Sequence, residues 1–146
     1  MTIVFVPIPR ERVPFEWERI ASLLSSAFAH DGEATPLDVY AWLTSGQSEA
    51  FWVGAATNAT GIIVTTTGPI DGTEVCWINY AAGTVRGGPR AFIATARAIV
   101  DQIEDLAREA GCTELRGGGR NWSRVFPEWE HFDPEHPNRM RKLING

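Results

Sequence analysis

The stretch that decides the fold is GTVRGGPRAFIATARAIVDQIEDLAREAGCTELR, residues 83–116. Its middle carries one apolar stripe at helical spacing, formed by Phe92, Ala96, Ile99, Ile103, Leu106 and Ala110. Gly111 is a natural stop for this helix, and β-rich runs at 74–81 and 112–116 flank the loop and the helix. A strand, a long helix and a returning strand close right-handed onto one sheet, so we predict two parallel neighbouring strands whose ends splay apart.

The sequence on either side of this unit predicts further elements. Upstream, residues 2–7 are β-rich, 14–30 have helical spacing, and Thr35 can cap a second helix that ends at Gly46. A hairpin is predicted from 51–56 and 61–67, followed by a turn at 69–72. Downstream, the sequence indicates a glycine elbow at 117–119, a short helical turn at 121–126, an extended loop, and a last strand at 140–144.

Composition narrows the class of protein. The 146 residues suit one domain, 1–146, and 44% hydrophobic with 21% charged residues is typical of a soluble globular chain. We expect no membrane segment and no signal peptide at the start of the sequence. Cys76 and Cys112 lack the close Cys or His neighbours of a zinc site, so neither a structural metal site nor a disulfide scaffold is predicted.

The charges are unevenly distributed. The net charge of −5 argues against non-specific binding of nucleic acid, and no basic residue lies between Arg19 and Arg86. From Arg116 onward, six bases face four acids, whereas residues 1–115 carry seven bases and fourteen acids. The C-terminal third is therefore the favoured place for a negatively charged ligand.

The order of elements resembles the GCN5-related N-acetyltransferase (GNAT) superfamily, and more narrowly the small GNAT-like proteins of tailed bacteriophages. The resemblance covers nearly the whole chain and rests on the order of short motifs: Trp17, Thr35 to Asp38, Phe51-Trp52-Val53, Thr65-Thr66-Thr67, the run from Ala107 to Leu115, and the run from Gly119 to Val125. It implies an α+β fold with a mixed central sheet, an antiparallel meander plus a β-loop-α-β unit, and helices on both faces.

The loop before the long helix is the first candidate site. Backbone N–H groups at a helix N-terminus bind anions, and glycines let a phosphate approach closely. In the superfamily this loop holds the coenzyme A diphosphate, so the resemblance implies binding of acetyl-CoA or another acyl-CoA by Arg86, Gly87, Gly88 and Arg90. The pattern departs from the superfamily at Pro89, which stands where a glycine is expected and has no N–H to donate. The alternative is a plain strand-to-helix turn.

The elbow adds three candidate contacts to an anion or substrate. Arg120 and Arg124 could bind a phosphate or carboxylate through their forked guanidinium groups, or Arg120 could pair with Glu128 or Glu130. Trp122 could stack on a base, or it could belong to the core or to an interface.

Acyl transfer needs a base for the amine and an acid for the thiolate. Superfamily enzymes often take that acid from a tyrosine after the elbow, where this sequence offers Ser123. Tyr80 and Glu74, on the strand beside the expected cleft, are the other catalytic candidates, although a tyrosine on a central strand is usually a packing residue. His131 and His136 could form a weak metal site or a base, but their proline-flanked context favours a solvated loop.

These observations favour two functions. The first is an acyl-CoA-dependent N-acyltransferase, encoded by a phage and located in the cytoplasm of the host cell. The second is a non-catalytic GNAT-fold virion or assembly component. Three features favour it: the missing tyrosine, Pro89, and the six tryptophans, whose exposed aromatics would form protein-binding surfaces.

Overall fold

The computed structural model describes residues 3–31, 34–55, 59–118 and 122–144. These residues form three α-helices and seven β-strands. In chain order the elements are β1 (Val4–Ile8), α1 (Val13–Asp31), α2 (Pro36–Ser45), β2 (Glu49–Ala55), β3 (Ala59–Ile70), β4 (Thr73–Val85), α3 (Gly88–Glu109), β5 (Glu114–Gly117), β6 (Glu130–His131) and β7 (Met140–Leu143). None of the described helices is both long enough and apolar enough to cross a membrane.

The strands form one mixed sheet in the order β1-β2-β3-β4-β5-β7-β6. The first four strands make an antiparallel meander, and β5 then joins β4 in parallel after the crossover through α3. The predicted α+β class, the meander and the parallel pair of strands are therefore confirmed.

Two hydrophobic cores lie on opposite faces of the sheet. Helices α1 and α2 cover one face through residues such as Ile20, Leu24 and Val39, which are completely buried. Helix α3 covers the other face, where Ile103 packs with Leu115 of β5. This arrangement confirms helices on both faces.

Local signals set the ends of α2 as predicted. The Thr35 hydroxyl accepts a hydrogen bond from the Asp38 N–H (3.2 Å), and the Asp38 carboxylate accepts one from the Thr35 N–H (2.9 Å). These two bonds form a capping box. At the other end, Gly46 adopts the left-handed conformation with φ of 83°.

Three details differ from the sequence prediction. The turn after β3 is confined to Asp71 and Gly72, both with positive φ, so Pro69 and Ile70 extend the strand. Three residues assigned to the apolar stripe are exposed, Phe92 (38%), Leu106 (39%) and Ala110, because the buried face of the helix runs through Thr95, Ile103 and Ala107 instead. The two-residue strand β6 has no counterpart in the sequence prediction.

The tryptophans are not the exposed set that the sequence suggests. Trp129 is buried and the other five are partly buried. They are covered by tertiary neighbours, as when Trp17 packs edge-to-face on Tyr40 with ring centroids 5.0 Å apart. The expectation that protein partners bind through exposed aromatics stays a prediction.

Candidate functional site

A cleft opens where β4 and β5 separate. The two strands pair only over Val75–Ile78 and Glu114–Gly117, after which β4 continues to Val85 without that neighbour. At the same point β4 has one extra residue, Asn79, between the partners of Val64 and Thr65 on β3. This β-bulge redirects the strand just where pairing with β5 ends. The resulting cavity has a volume of about 580 Å³.

The cleft receives side chains from both layers of helices. Phe92, Thr95 and Ile99 of α3 line it on one face of the sheet, and Trp42 of α2 lines it on the other. The gap between the strands therefore connects the two faces, so a long, narrow ligand could enter from the α3 side and present its far end to the opposite side.

The predicted anion loop lies between β4 and α3. Gly87 is the N-cap of α3 with φ of 105°, Gly88 has φ of 82°, and Pro89 lies in the first turn. Within the described residues, no side chain caps this helix end, and its first turn contains no acidic residue. The N–H groups of Gly88 and Arg90 are thus left for a ligand, together with the partial positive charge of the helix end.

Two cations flank this helix end. Arg86 and Arg90 are both exposed, and neither guanidinium has a hydrogen-bond or ion-pair partner in the described part of the chain. Other arginines are engaged: Arg97, for example, pairs with Glu128 at 3.0 Å. The structure therefore brings together the four residues that the sequence proposed for an anion.

The three elbow candidates are placed differently. Arg120 lies outside the described residues. Trp122 lines the cleft, stacks on Phe92 with ring centroids 6.2 Å apart, and donates from Nε1 to the Gly118 carbonyl at 3.2 Å. Arg124 is exposed and has no partner among the described residues. The ring of Trp122 is thus packed against protein on one side, and Arg124 is a further cation without a partner in the described part of the chain.

The catalytic candidates do not converge. Tyr80 lines the cleft, but it is 6% exposed and packs edge-to-face on Phe28 at 5.4 Å. Glu74 is exposed near the start of β4, where it pairs with β3 and its carbonyl accepts a hydrogen bond from the Thr113 N–H just before β5. At this position the two strands are still joined, so Glu74 lies outside the cleft. Ser123 also is not among the cleft-lining residues, because the turn at this point directs Trp122 and Phe126 inward instead.

One wall of the cleft escapes prediction from the sequence. Residues 135–140 line it beyond β5, in the segment whose composition favours a solvated loop. Hydrogen bonds fix this segment, including one between the His131 ring and the Pro137 carbonyl (2.8 Å) and one from the Arg139 N–H to the His136 carbonyl (2.9 Å). The only sequence signal is the spacing of Asp133 and His136, which permits a closed turn.

Comparison with known proteins finds solved structures that share this fold. No family model matches the sequence, and no curated protein matches it. Among solved structures, the chain is similar to an aminoglycoside 6'-acetyltransferase type Ii (TM-score 0.67, 12% identity, 98% of each chain covered). It is also similar to an IAA acetyltransferase from Bacillus cereus (TM-score 0.63, 13% identity, 98% of this chain and 99% of that chain).

The chain has the GNAT fold. A third similar structure is N-acetylglutamate synthase from Neisseria gonorrhoeae, in complex with coenzyme A and N-acetylglutamate (TM-score 0.64, 11% identity), of which this chain covers 36% and is itself covered fully. The GNAT fold is the architecture that the sequence motifs imply.

Proposed function

We propose that the protein is an acyl-CoA-dependent N-acyltransferase, with acetyl-CoA as the first donor to test. The observation that carries the proposal is the cleft between the separated parallel strands. It begins beside a helix end that has no side-chain cap, and beside two arginines that have no partner, within the described residues. An acyl-CoA has a matching shape, with a highly charged diphosphate at one end and a slender arm that ends in a thioester.

The residues at the site fit such a ligand. Arg86, Arg90 and the N–H of Gly88 would hold the diphosphate through charge-assisted hydrogen bonds. Among the described residues, no strand lies beside β4 beyond Ile78 on the edge that faces β5, so the backbone groups of that edge are available to the amides of the slender arm. When bound, the acyl-CoA supplies an activated thioester carbonyl, and the chain's own task is to orient it and to manage the protons.

A second candidate is a GNAT-fold virion or assembly component of a tailed phage, without catalysis. Pro89 favours it because this residue removes one N–H from the diphosphate loop. The packing of Tyr80 favours it as well, since a tyrosine held against Phe28 is ill-suited to serve as an acid. The phage origin itself stands on the sequence motifs alone.

Calorimetry with acetyl-CoA separates the two candidates. The double variant Arg86→Ala, Arg90→Ala should weaken binding by roughly 1.5 kcal/mol for each charge-assisted hydrogen bond removed. This is the lower end of the range for hydrogen bonds to charged groups, because both side chains are exposed. It corresponds to about tenfold in Kd for each bond, and the effect should shrink at high salt.

Arg108→Ala is the matched control. It removes an arginine from the other end of the same helix, about 27 Å from Arg90 at 1.5 Å per residue. At that distance its charge is screened at physiological salt, so binding should not change. Wild-type protein that shows no binding at about 1 mM acetyl-CoA, a weak limit equal to roughly −4 kcal/mol, would exclude the acyltransferase and leave the non-catalytic candidate.

A further inference from the structure

An aspartate–histidine pair lies in the wall of the cleft formed by residues 135–140. His136 lines the cleft, and its Nδ1 lies 3.0 Å from Oδ2 of Asp133. The same carboxylate accepts hydrogen bonds from Arg139 Nη1 (3.1 Å) and from the backbone N–H of Glu135 (3.0 Å). Three donors thus fix the carboxylate, and the carboxylate fixes the imidazole.

The bonding of Asp133 determines the tautomer of His136. Desolvation alone would raise the pKa of Asp133, but the hydrogen bonds from Glu135, His136 and Arg139 outweigh it and lower the pKa. The carboxylate is therefore ionised at neutral pH and can only accept hydrogen bonds, so Nδ1 of His136 must carry a proton. In the neutral imidazole the lone pair then resides on Nε2, the arrangement that a general base requires.

The pair lies on the face of the sheet opposite α3. Cys76 and Ile78 pack into the core beneath α3, so the intervening Trp77 projects from the other face. Arg139, which holds Asp133, lies over that Trp77 ring at 5.6 Å from its centroid. A ligand anchored at the N-terminus of α3 and extended through the gap would bring its reactive end to this face.

We propose that His136, oriented by Asp133, is the base that accepts a proton from the acyl acceptor. The inference rests on the proposed acyltransferase function. Nε2 takes one proton from the ammonium group of the acceptor, and the nitrogen lone pair forms a C–N bond with the thioester carbonyl carbon. The C–S bond breaks, the thiolate receives the second nitrogen proton, and His136 returns its proton to solvent. One amide, one free thiol and one released proton balance the step.

The tautomer can be measured without any ligand. In ¹⁵N-histidine-labelled protein at about pH 8.5, well above the usual imidazole pKa, two-bond ¹H–¹⁵N correlations report which ring nitrogen is protonated. The wild-type His136 signal, assigned by its absence in His136→Gln, should show the Nδ1–H form. Asp133→Asn should shift it toward the Nε2–H form. A wild-type signal from the Nε2–H form would overturn the inference.

Transfer is measured as thiol release from acetyl-CoA with spermidine, an aminoglycoside and a lysine-containing peptide as acceptors. His136→Ala and His136→Gln should lower the rate by about 100-fold or more, the usual contribution of a general base, and added imidazole should restore part of the rate in the alanine variant. Both should keep the wild-type affinity for acetyl-CoA.

His131→Gln is the matched control for His136→Gln. His131 ends strand β6, five residues before His136, and is not among the residues that line the cleft. The glutamine amide can still donate to the Pro137 carbonyl, which the His131 ring contacts in the wild-type protein. This variant should keep the wild-type rate of transfer.

The outcomes separate this inference from the function on which it rests. If wild-type protein binds acetyl-CoA and the His136 variants transfer at the wild-type rate, the base is elsewhere and the inference is wrong. If wild-type protein binds acetyl-CoA but transfers to none of the three amines, the role of His136 is likewise refuted. If acetyl-CoA does not bind at all, the proposed function fails and the inference fails with it.

Discussion

Pro89 is the one residue of the anion loop whose replacement should improve binding. It lies in the first turn of α3, where each N–H normally points out of the helix end toward an anion, and it has none. Pro89→Ala restores this donor and adds no atom that clashes, because the new Cβ takes the place of the proline Cβ. The variant therefore tests whether a diphosphate lies against this end of the helix.

The expected gain follows from the surroundings of the loop. A hydrogen bond to a charged group contributes roughly 1.5–3 kcal/mol, and the exposure of residues 86–90 reduces the gain to about 1 kcal/mol, or about fivefold in Kd. Replacing the proline also increases the conformational entropy of the unfolded chain, which should lower the free energy of unfolding by about 0.4–1 kcal/mol. Calorimetry with acetyl-CoA and thermal unfolding without ligand measure the two effects separately.

Pro36→Ala provides the matched control. Pro36 also lies at the start of a helix, but the Thr35–Asp38 capping box already satisfies that end of α2. It should show the same decrease in stability with no change in affinity. Unchanged or weaker binding by Pro89→Ala in a folded protein, or equal tightening in both variants, would refute the placement of the diphosphate at α3.

Three further outcomes are expected. Gly83→Ala should destabilise the protein by at least about 2 kcal/mol in denaturant titration, because φ is 155° and a Cβ would lie 2.6 Å from a Cα of the neighbouring strand. Gly68→Ala is the control: a Cβ there would have no atom within 4 Å, so stability should change little. Burial raises the pKa of Cys76 to about 12, so mass spectrometry should find this thiol unmodified by iodoacetamide at pH 8, about four units below that pKa, unless denaturant is present. Desolvation raises the pKa of Glu128, but its hydrogen bonds and the charge of Arg97 lower the pKa overall. This carboxylate therefore stabilises the fold at pH values above its ordinary pKa of 4.5, and the contribution is lost as the pH falls through its pKa in the folded protein. Glu128→Gln should therefore make the melting temperature less dependent on pH on the acid side.

The fold could be predicted where short-range patterns agree with the tertiary structure. The cap at Thr35, the stop at Gly46 and the strand–helix–strand unit around α3 each depend on neighbouring residues and on one apolar face. The predicted turn at 69–72 is wrong at Pro69 and Ile70. The pair Asp71-Gly72 forms a two-residue turn by itself, and the preceding proline remains in the strand. Whether a proline starts a turn or ends a strand depends on the partner strand, which the sequence does not reveal.

The candidate site likewise has one part that the sequence predicts and one part that depends on tertiary contacts. The anion loop, Arg86 to Arg90, is contiguous in sequence, so the residues alone predict its chemistry. The wall that contains His136 depends on β7 returning beside β5, with Met140 opposite Gly117, and on the turn that brings Asp133 back to the histidine ring. Neither contact leaves a periodic pattern, and the prolines on both sides favour the prediction of an extended, solvated loop.

The cleft itself arises from local features of three strands. Asn79 adds one residue to β4, and its amide is tied to β3 through a 2.6 Å hydrogen bond from Nδ2 to Thr66 Oγ1. Thr66 is in turn bonded to the buried Ser48 of the turn before β2, at 2.7 Å. Since β5 ends in Gly117, no side chain from that strand refills the space beyond the bulge. A fixed bulge on one strand and a missing side chain on its neighbour therefore keep the gap open, so the passage between the two faces exists before any ligand arrives.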